Sequence, residues 1–135
     1  MFTETIRIII ADDFSPFRNA LKKLFRKTSS IKVEVLGEAE NGEQLVKLVE
    51  SVQPDIVISD IGMPVMDGID ATRIIKRKFP RVKVIALSLF DDTAHINGMI
   101  NAGASGYLLK NIHIEEIISG IASVYRGATC FKVLG

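Results

Sequence analysis

Residues 54–68 read Pro54-Asp55-Ile56-Val57-Ile58-Ser59-Asp60-Ile61-Gly62-Met63-Pro64-Val65-Met66-Asp67-Gly68. Ile56, Val57 and Ile58 form an unbroken run of β-branched side chains, the pattern of a strand buried on both faces in the middle of a parallel sheet. Asp60 follows that run almost directly. Gly62, Pro64 and Gly68 then favour a loop, and a helical pattern begins at about Asp67. A carboxylate is therefore presented at the carboxyl end of a central strand, where open α/β sheets place their ligands. Asp60 is the residue expected to carry the chemistry.

Outward from this stretch, short apolar runs alternate with helical patterns. Residues 6–11 read as a first strand ending at Asp12-Asp13. Ser15 offers a helix cap ahead of Pro16, with Phe17, Leu21, Leu24 and Phe25 on one helical face. Residues 33–37 read as a second strand, whose alternation suits a sheet edge. Asn41 can cap a second helix carrying Leu45, Leu48, Val49 and Val52. A third helix, with a solvated basic face of Arg73, Lys76, Arg77 and Lys78, ends before Pro80. Residues 82–89 form a fourth strand containing Ser88. A fourth helix begins at Asp91-Asp92-Thr93, contains Gly98, and closes at Gly103. Residues 106–109 form a fifth strand ending at Lys110, and a fifth helix runs from about Ile114 to Gly127.

Five β-α units without a repeat or linker predict one α/β domain. Its expected form is a doubly wound, five-stranded parallel sheet of flavodoxin-like order 2-1-3-4-5, with helices on both faces. The expected core spans about residues 5–127 of the single domain 1–135. At 135 residues, 47% hydrophobic and 24% charged with net charge +1, the chain has the composition of an ordinary soluble domain without a global field to recruit nucleic acid. It lacks an apolar run of membrane-spanning length, and the expected location is cytoplasmic. Its one cysteine, Cys130, cannot form an internal disulfide and reads as an incidental small side chain.

The strand order brings Asp12, Asp13, Asp60, Ser88 and Lys110 to one edge of the sheet. Three carboxylates at close range repel one another, and a hard divalent cation removes the conflict. Three negative charges, one lysine and one Mg²⁺ sum to zero, so the site can receive a phosphoryl group. In this scheme Asp60 attacks as an ionised carboxylate and needs no general base. Asp12 and Asp13 hold the metal, Lys110 pairs with phosphoryl oxygens, and Ser88 donates its hydroxyl. His95 and His113 fall outside the cluster and are assigned no chemistry. An Mg²⁺-dependent phosphatase with an aspartate nucleophile is the alternative enzyme, but it wants a second carboxylate where Gly62 stands. An FMN module needs a hydroxyl-rich phosphate loop, where Asp12-Asp13 would repel the phosphate.

Asp12-Asp13, Asp60 to Pro64 with Asp67-Gly68, Ala86-Leu87-Ser88, and the segment Gly103-Ala104-Ser105-Gly106-Tyr107-Leu108-Leu109-Lys110 together resemble the response-regulator receiver domain of two-component signalling. Asp12-Asp13-Phe14, the Gly-Tyr-Leu-Leu-Lys segment and Tyr125-Arg126-Gly127 resemble the subgroup that carries a LuxR-type helix-turn-helix output domain. The resemblance implies a phosphoacceptor rather than an enzyme. Asp60 would take phosphate from a sensor histidine kinase or phosphotransfer protein. Asp13, Asp60 and the Gly62 backbone carbonyl would bind Mg²⁺ directly, and Asp12 largely through water. Ser88 would be the switch hydroxyl, Tyr107 the aromatic that follows it, and Lys110 the phosphate partner. Homodimerisation on phosphorylation is compatible with this role, and DNA would be reached only through an output domain not present in this chain. With Gly135 as the natural end, the protein would instead be a stand-alone receiver acting through protein contacts. Phe90, two residues after Ser88, is placed to shield an acyl phosphate, whereas Gly62 opens its approach. Asn111 after Lys110, in place of proline, predicts a trans peptide there.

Overall fold

The computed structural model describes residues 4–131. The elements alternate as β1 (Thr5–Ala11), α1 (Ser15–Lys27), β2 (Lys32–Ala39), α2 (Gly42–Val52), β3 (Ile56–Ser59), α3 (Gly68–Lys78), β4 (Lys83–Ser88), α4 (Thr93–Ala102), β5 (Gly106–Leu109), α5 (Ile114–Tyr125) and β6 (Cys130–Phe131). All strands pair in parallel, in the order β2-β1-β3-β4-β5-β6. The expected order of the first five strands is present, with β2 at the edge. The five-stranded expectation is corrected by one strand: β6 adds a sixth along the outer side of β5. Its two residues, Cys130 and Phe131, pair with Gly106 and Tyr107, and the Cys130 N–H donates to the Ser105 carbonyl (2.9 Å). So short a strand carries no periodicity to read, and Cys130 is a buried sheet residue rather than an incidental one.

Alternation along the central strands divides the core in two. Ile6, Ile8, Ile10, Ile56, Ile58, Ile85, Leu87 and Leu108 point to the face covered by Leu21 and Phe25 of α1 and Ile117, Ile118 and Ile121 of α5. Ile9, Val57, Val84, Ala86 and Tyr107 point to the face covered by α2, α3 and α4 through Leu45, Val49, Ala71, Ile75, Ile96 and Met99. Every β3 residue is buried, as strands covered on both faces must be.

Local chemistry sets most helix ends. The Asn41 side chain accepts from the Gln44 N–H (2.8 Å), Asp67 caps α3 through the Asp70 N–H (2.8 Å), and Asp92 caps α4 through the His95 N–H (3.1 Å). Gly103 closes α4 at φ 104°. The expected Ser15 cap is corrected: Phe14 holds the cap position without a side-chain bond, and Ser15 is already helical. Asp12 Oδ1 accepts the Phe14 N–H (2.9 Å), which orders the turn leading into the helix. Within α4, a Cβ on Gly98 would stand 2.7 Å from Ile69 Cδ1, so the small residue lets α4 lie close to α3.

Candidate functional site

Hydrogen bonds that continue the sheet past the strand ends bring the polar residues to one edge. The Asp12 N–H donates to the Ala39 carbonyl (3.0 Å), the Asp60 N–H to the Ala11 carbonyl (2.9 Å), and the Lys110 N–H to the Ser88 carbonyl (2.9 Å). Side-chain oxygens of Asp12, Asp13 and Asp60 then lie within 4.8 Å of one another. Asp12 is buried, Asp60 half-buried and Asp13 exposed. Gly68 lets the start of α3 lie against the Asp60–Ile61 backbone, because a Cβ there would collide with the Asp60 carbonyl oxygen.

Lys110 bridges two of the carboxylates, its Nζ 2.7 Å from Asp12 Oδ2 and 3.2 Å from Asp60 Oδ2. The same ammonium sits 4.3 Å above the centroid of the Phe17 ring, a cation–π contact that fixes its direction. Burial alone would lower the Lys110 pKa, but the Asp12 and Asp60 carboxylates outweigh it and the net shift is upward. For Asp60, burial raises the pKa and the Asp12 charge adds to it, against the opposing pull of Lys110 and the Ile61 N–H. Both partners of the pair thus move upward. One ammonium between two carboxylates keeps its proton firmly, while each carboxylate receives only part of its charge. Asp60 Oδ1 accepts the Ile61 N–H (2.8 Å).

The donor set fits a hard divalent cation. Asp12 Oδ2 is buried, and among the described residues its contact is the 2.7 Å ion pair with Lys110. Three carboxylates meet one lysine, which leaves an excess of negative charge and oxygen ligands of the kind Mg²⁺ accepts.

Ser88 and Tyr107 lie beside this pocket. Ser88 Oγ accepts the Phe90 N–H (3.1 Å), and the buried Tyr107 donates its hydroxyl to the Phe90 carbonyl (2.7 Å). Burial raises the Tyr107 pKa, Ser88 offsets part of this, and Asp92, Asp60 and Asp91 add to it. The Phe90 ring packs on Gly62, where a Cβ would lie 3.3 Å from its Cε2. The Lys110–Asn111 peptide is trans, as expected. His95 and His113 stand outside the carboxylate cluster. His113 occupies the α5 cap position without a side-chain bond, and His95 stacks on Phe90.

Two residues of this edge went unread in the sequence. In the sequence Phe17 reads only as part of the apolar face of α1. Arg18 is buried, its Nη1 on the Asp12 carbonyl (2.5 Å) and its Nε on Glu38 Oε1 (2.9 Å). A signal existed, because Arg18 lies three and seven residues before Leu21 and Phe25, on their face of the helix. Elsewhere, a groove of about 690 Å³ between α1 and α5, lined by Leu24, Ile31, Ile114, Ile118, Ala122 and Tyr125, contains none of the edge residues.

A parallel flavodoxin-like sheet with an acidic, lysine-bridged pocket at its carboxyl edge defines the class of protein. The chain matches the response regulator receiver domain over residues 8–122 and belongs to that family, the receivers of two-component systems. It is 38% identical over 122 residues to the transcriptional regulatory protein DegU of Brevibacillus brevis, covering 90% of this chain and 51% of DegU. It is 37% identical over 122 residues to the transcriptional regulatory protein LnrK of Bacillus subtilis, covering 90% of this chain and 54% of LnrK. The chain thus spans about half the length of these curated relatives. Its fold superposes on a LuxR-family response regulator from Aurantimonas with TM-score 0.88 and 27% identity, covering 94% of this chain and 89% of the other. The receiver domain of a putative NarL from Mycobacterium tuberculosis gives TM-score 0.86 and 28% identity, covering 93% and 99%. Among the described residues no helix is long and apolar enough to cross a membrane.

Proposed function

We propose that this receiver accepts a phosphoryl group on Asp60 from a sensor histidine kinase or phosphotransfer protein. Accepting it changes an interaction surface that controls transcription through an output domain not present in this chain. The supporting observation is the Lys110 ammonium held between the Asp12 and Asp60 carboxylates. It is placed to meet phosphoryl oxygens arriving at Asp60. Asp12, Asp13, Asp60 and the Gly62 carbonyl would hold Mg²⁺, which when bound supplies charge neutralisation for the incoming phosphoryl group. Ser88 donates its hydroxyl to that group, and Tyr107, tied to the same loop through the Phe90 carbonyl, follows the loop's rearrangement. The core of the receiver is one domain of about residues 5–127, working in the cytoplasm.

The test is incubation of wild type and Asp60→Asn with Mg²⁺ and acetyl phosphate, followed by intact mass. One added phosphate on wild type alone, abolished by chelation, is the expected result. Phosphate on both proteins would move the acceptor elsewhere.

A further inference from the structure

Phe90 is 40% exposed, yet four contacts fix it. Its N–H donates to Ser88 Oγ (3.1 Å), and its carbonyl accepts the Tyr107 hydroxyl (2.7 Å). Its ring edge lies on Gly62, filling the space a side chain there would take, with Cε2 and Cζ at 3.3 and 3.5 Å from an ideal Cβ position. Its ring face is stacked on His95, with centroids 4.0 Å apart and planes within 6°. The fourth contact is itself anchored. His95 Nδ1 lies 2.7 Å from the Asp92 carboxylate, and the His95 N–H donates to Asp92 Oδ2, so the imidazole is tied to the cap of α4. A continuous stack thus runs from the first turn of α4, through two rings, to the backbone two residues beyond Asp60.

We propose that His95 is a positioning residue for the phosphorylated state. Anchored by Asp92, it clamps the Phe90 ring over Gly62 and restricts the approach of water to an acyl phosphate on Asp60. This rests on Asp60 being the phosphoacceptor. In the step restrained, the oxygen of water bonds to phosphorus and the bond from phosphorus to the Asp60 carboxylate oxygen breaks. The carboxylate is regenerated, and both water protons leave with inorganic phosphate. His95 takes no part in that chemistry; it holds the ring that excludes the attacking water. Without the clamp, a solvent-facing ring on a short loop regains its other rotamers.

The experiment is the decay of the phosphorylated chain after removal of acetyl phosphate, followed by intact mass, for wild type, His95→Ala, His95→Phe, Phe90→Ala and the double variant Phe90→Ala/His95→Ala. A stacked ring pair corresponds to about two- to tenfold in a rate. His95→Ala should therefore lose phosphate about two- to tenfold faster than wild type. His95→Phe, which keeps a ring, should decay near the wild-type rate. The double variant should be no faster than Phe90→Ala alone, a non-additivity that general loosening of α4 would not produce. Thermal melting checks each fold, and His95→Gln replaces His95→Ala should the latter unfold. A wild-type rate in His95→Ala, or full additivity in the double variant, overturns the clamp. Failure of wild type to take up phosphate overturns the Asp60 assignment as well, and is seen before any decay is measured.

Discussion

Val65 is a β-branched residue at φ 70°, 76% exposed, at the centre of a turn closed by the Met66 N–H on the Pro64 carbonyl (2.7 Å). Left-handed backbone at such a residue stores about 1–3 kcal/mol, more than the chain entropy a glycine adds. Val65→Gly should therefore stabilise the protein by about 1 kcal/mol, a rise of a few degrees in thermal melting. An unchanged or lower midpoint would show the turn to be unstrained. Gly68 shows the opposite case three residues later. Its α-carbon faces the Asp60 carbonyl oxygen so closely that Gly68→Ala must displace the backbone of the loop after Asp60, at a cost of about 3 kcal/mol measured in urea unfolding. Both glycines of the Pro54–Gly68 stretch were readable as loop signals. Which of them is required by contact, and that Val65 bears strain, depends on how the loop folds back on Asp60.

At the scale of elements, α1 is fastened to β2 by Glu38, which accepts from Arg18 Nε (2.9 Å) and Lys22 Nζ (2.7 Å). Lys22 and then Arg18 hold the Glu38 pKa below its ordinary value of 4.5, although partial burial opposes them. A depressed carboxylate contributes stability that is present above its unfolded pKa and disappears as the pH falls through the folded one. Glu38→Gln should cost about 1 kcal/mol near neutral pH. Wild type and variant should converge in acid below the ordinary carboxylate range; a gap that persists there would assign the loss to packing. Between α3 and α4, Gly98→Ala gains about 1 kcal/mol of helix propensity and loses a similar amount by pushing Ile69 aside. Its net effect on urea unfolding should stay within about 0.5 kcal/mol. Helix propensity alone predicts the gain; the tertiary contact cancels it.

For the molecule as a whole, the acidic edge couples stability to metal. Asp12, Asp13 and Asp60 repel one another across the ends of β1 and β3, and the Mg²⁺ proposed for this cluster would bind only the folded chain, where the three carboxylates are brought together. At a tenfold excess over Kd, Mg²⁺ should raise the unfolding free energy by about 1.4 kcal/mol. Chelation should reverse the shift, and Asp13→Asn should diminish it without unfolding the protein. A midpoint insensitive to Mg²⁺ would show that Lys110 alone suffices to balance the carboxylates. The same edge carries the Phe90 and His95 stack, so α4 is joined to the site through side chains as well as through its loop.

The sequence by itself determined the parallel architecture, because runs such as Ile56-Val57-Ile58 have no polar face and must be covered on both sides. It also determined which strands end in Asp12, Asp60, Ser88 and Lys110, since chain order and the handedness of crossovers leave few ways to arrange five such units. Only the tertiary structure decided what pairs with what at that edge. Lys110 reaches Asp12 as well as Asp60, Arg18 turns inward onto the Asp12 carbonyl, and Phe90 lies on Gly62 under His95. The Lys110 and Gly62 contacts join residues far apart in the chain, the Arg18 and His95 contacts depend on how a loop turns into its helix, and no local periodicity encodes either kind. The two-residue β6 is of the same kind: its place is set by backbone groups left open along β5 rather than by any pattern in Cys130 and Phe131.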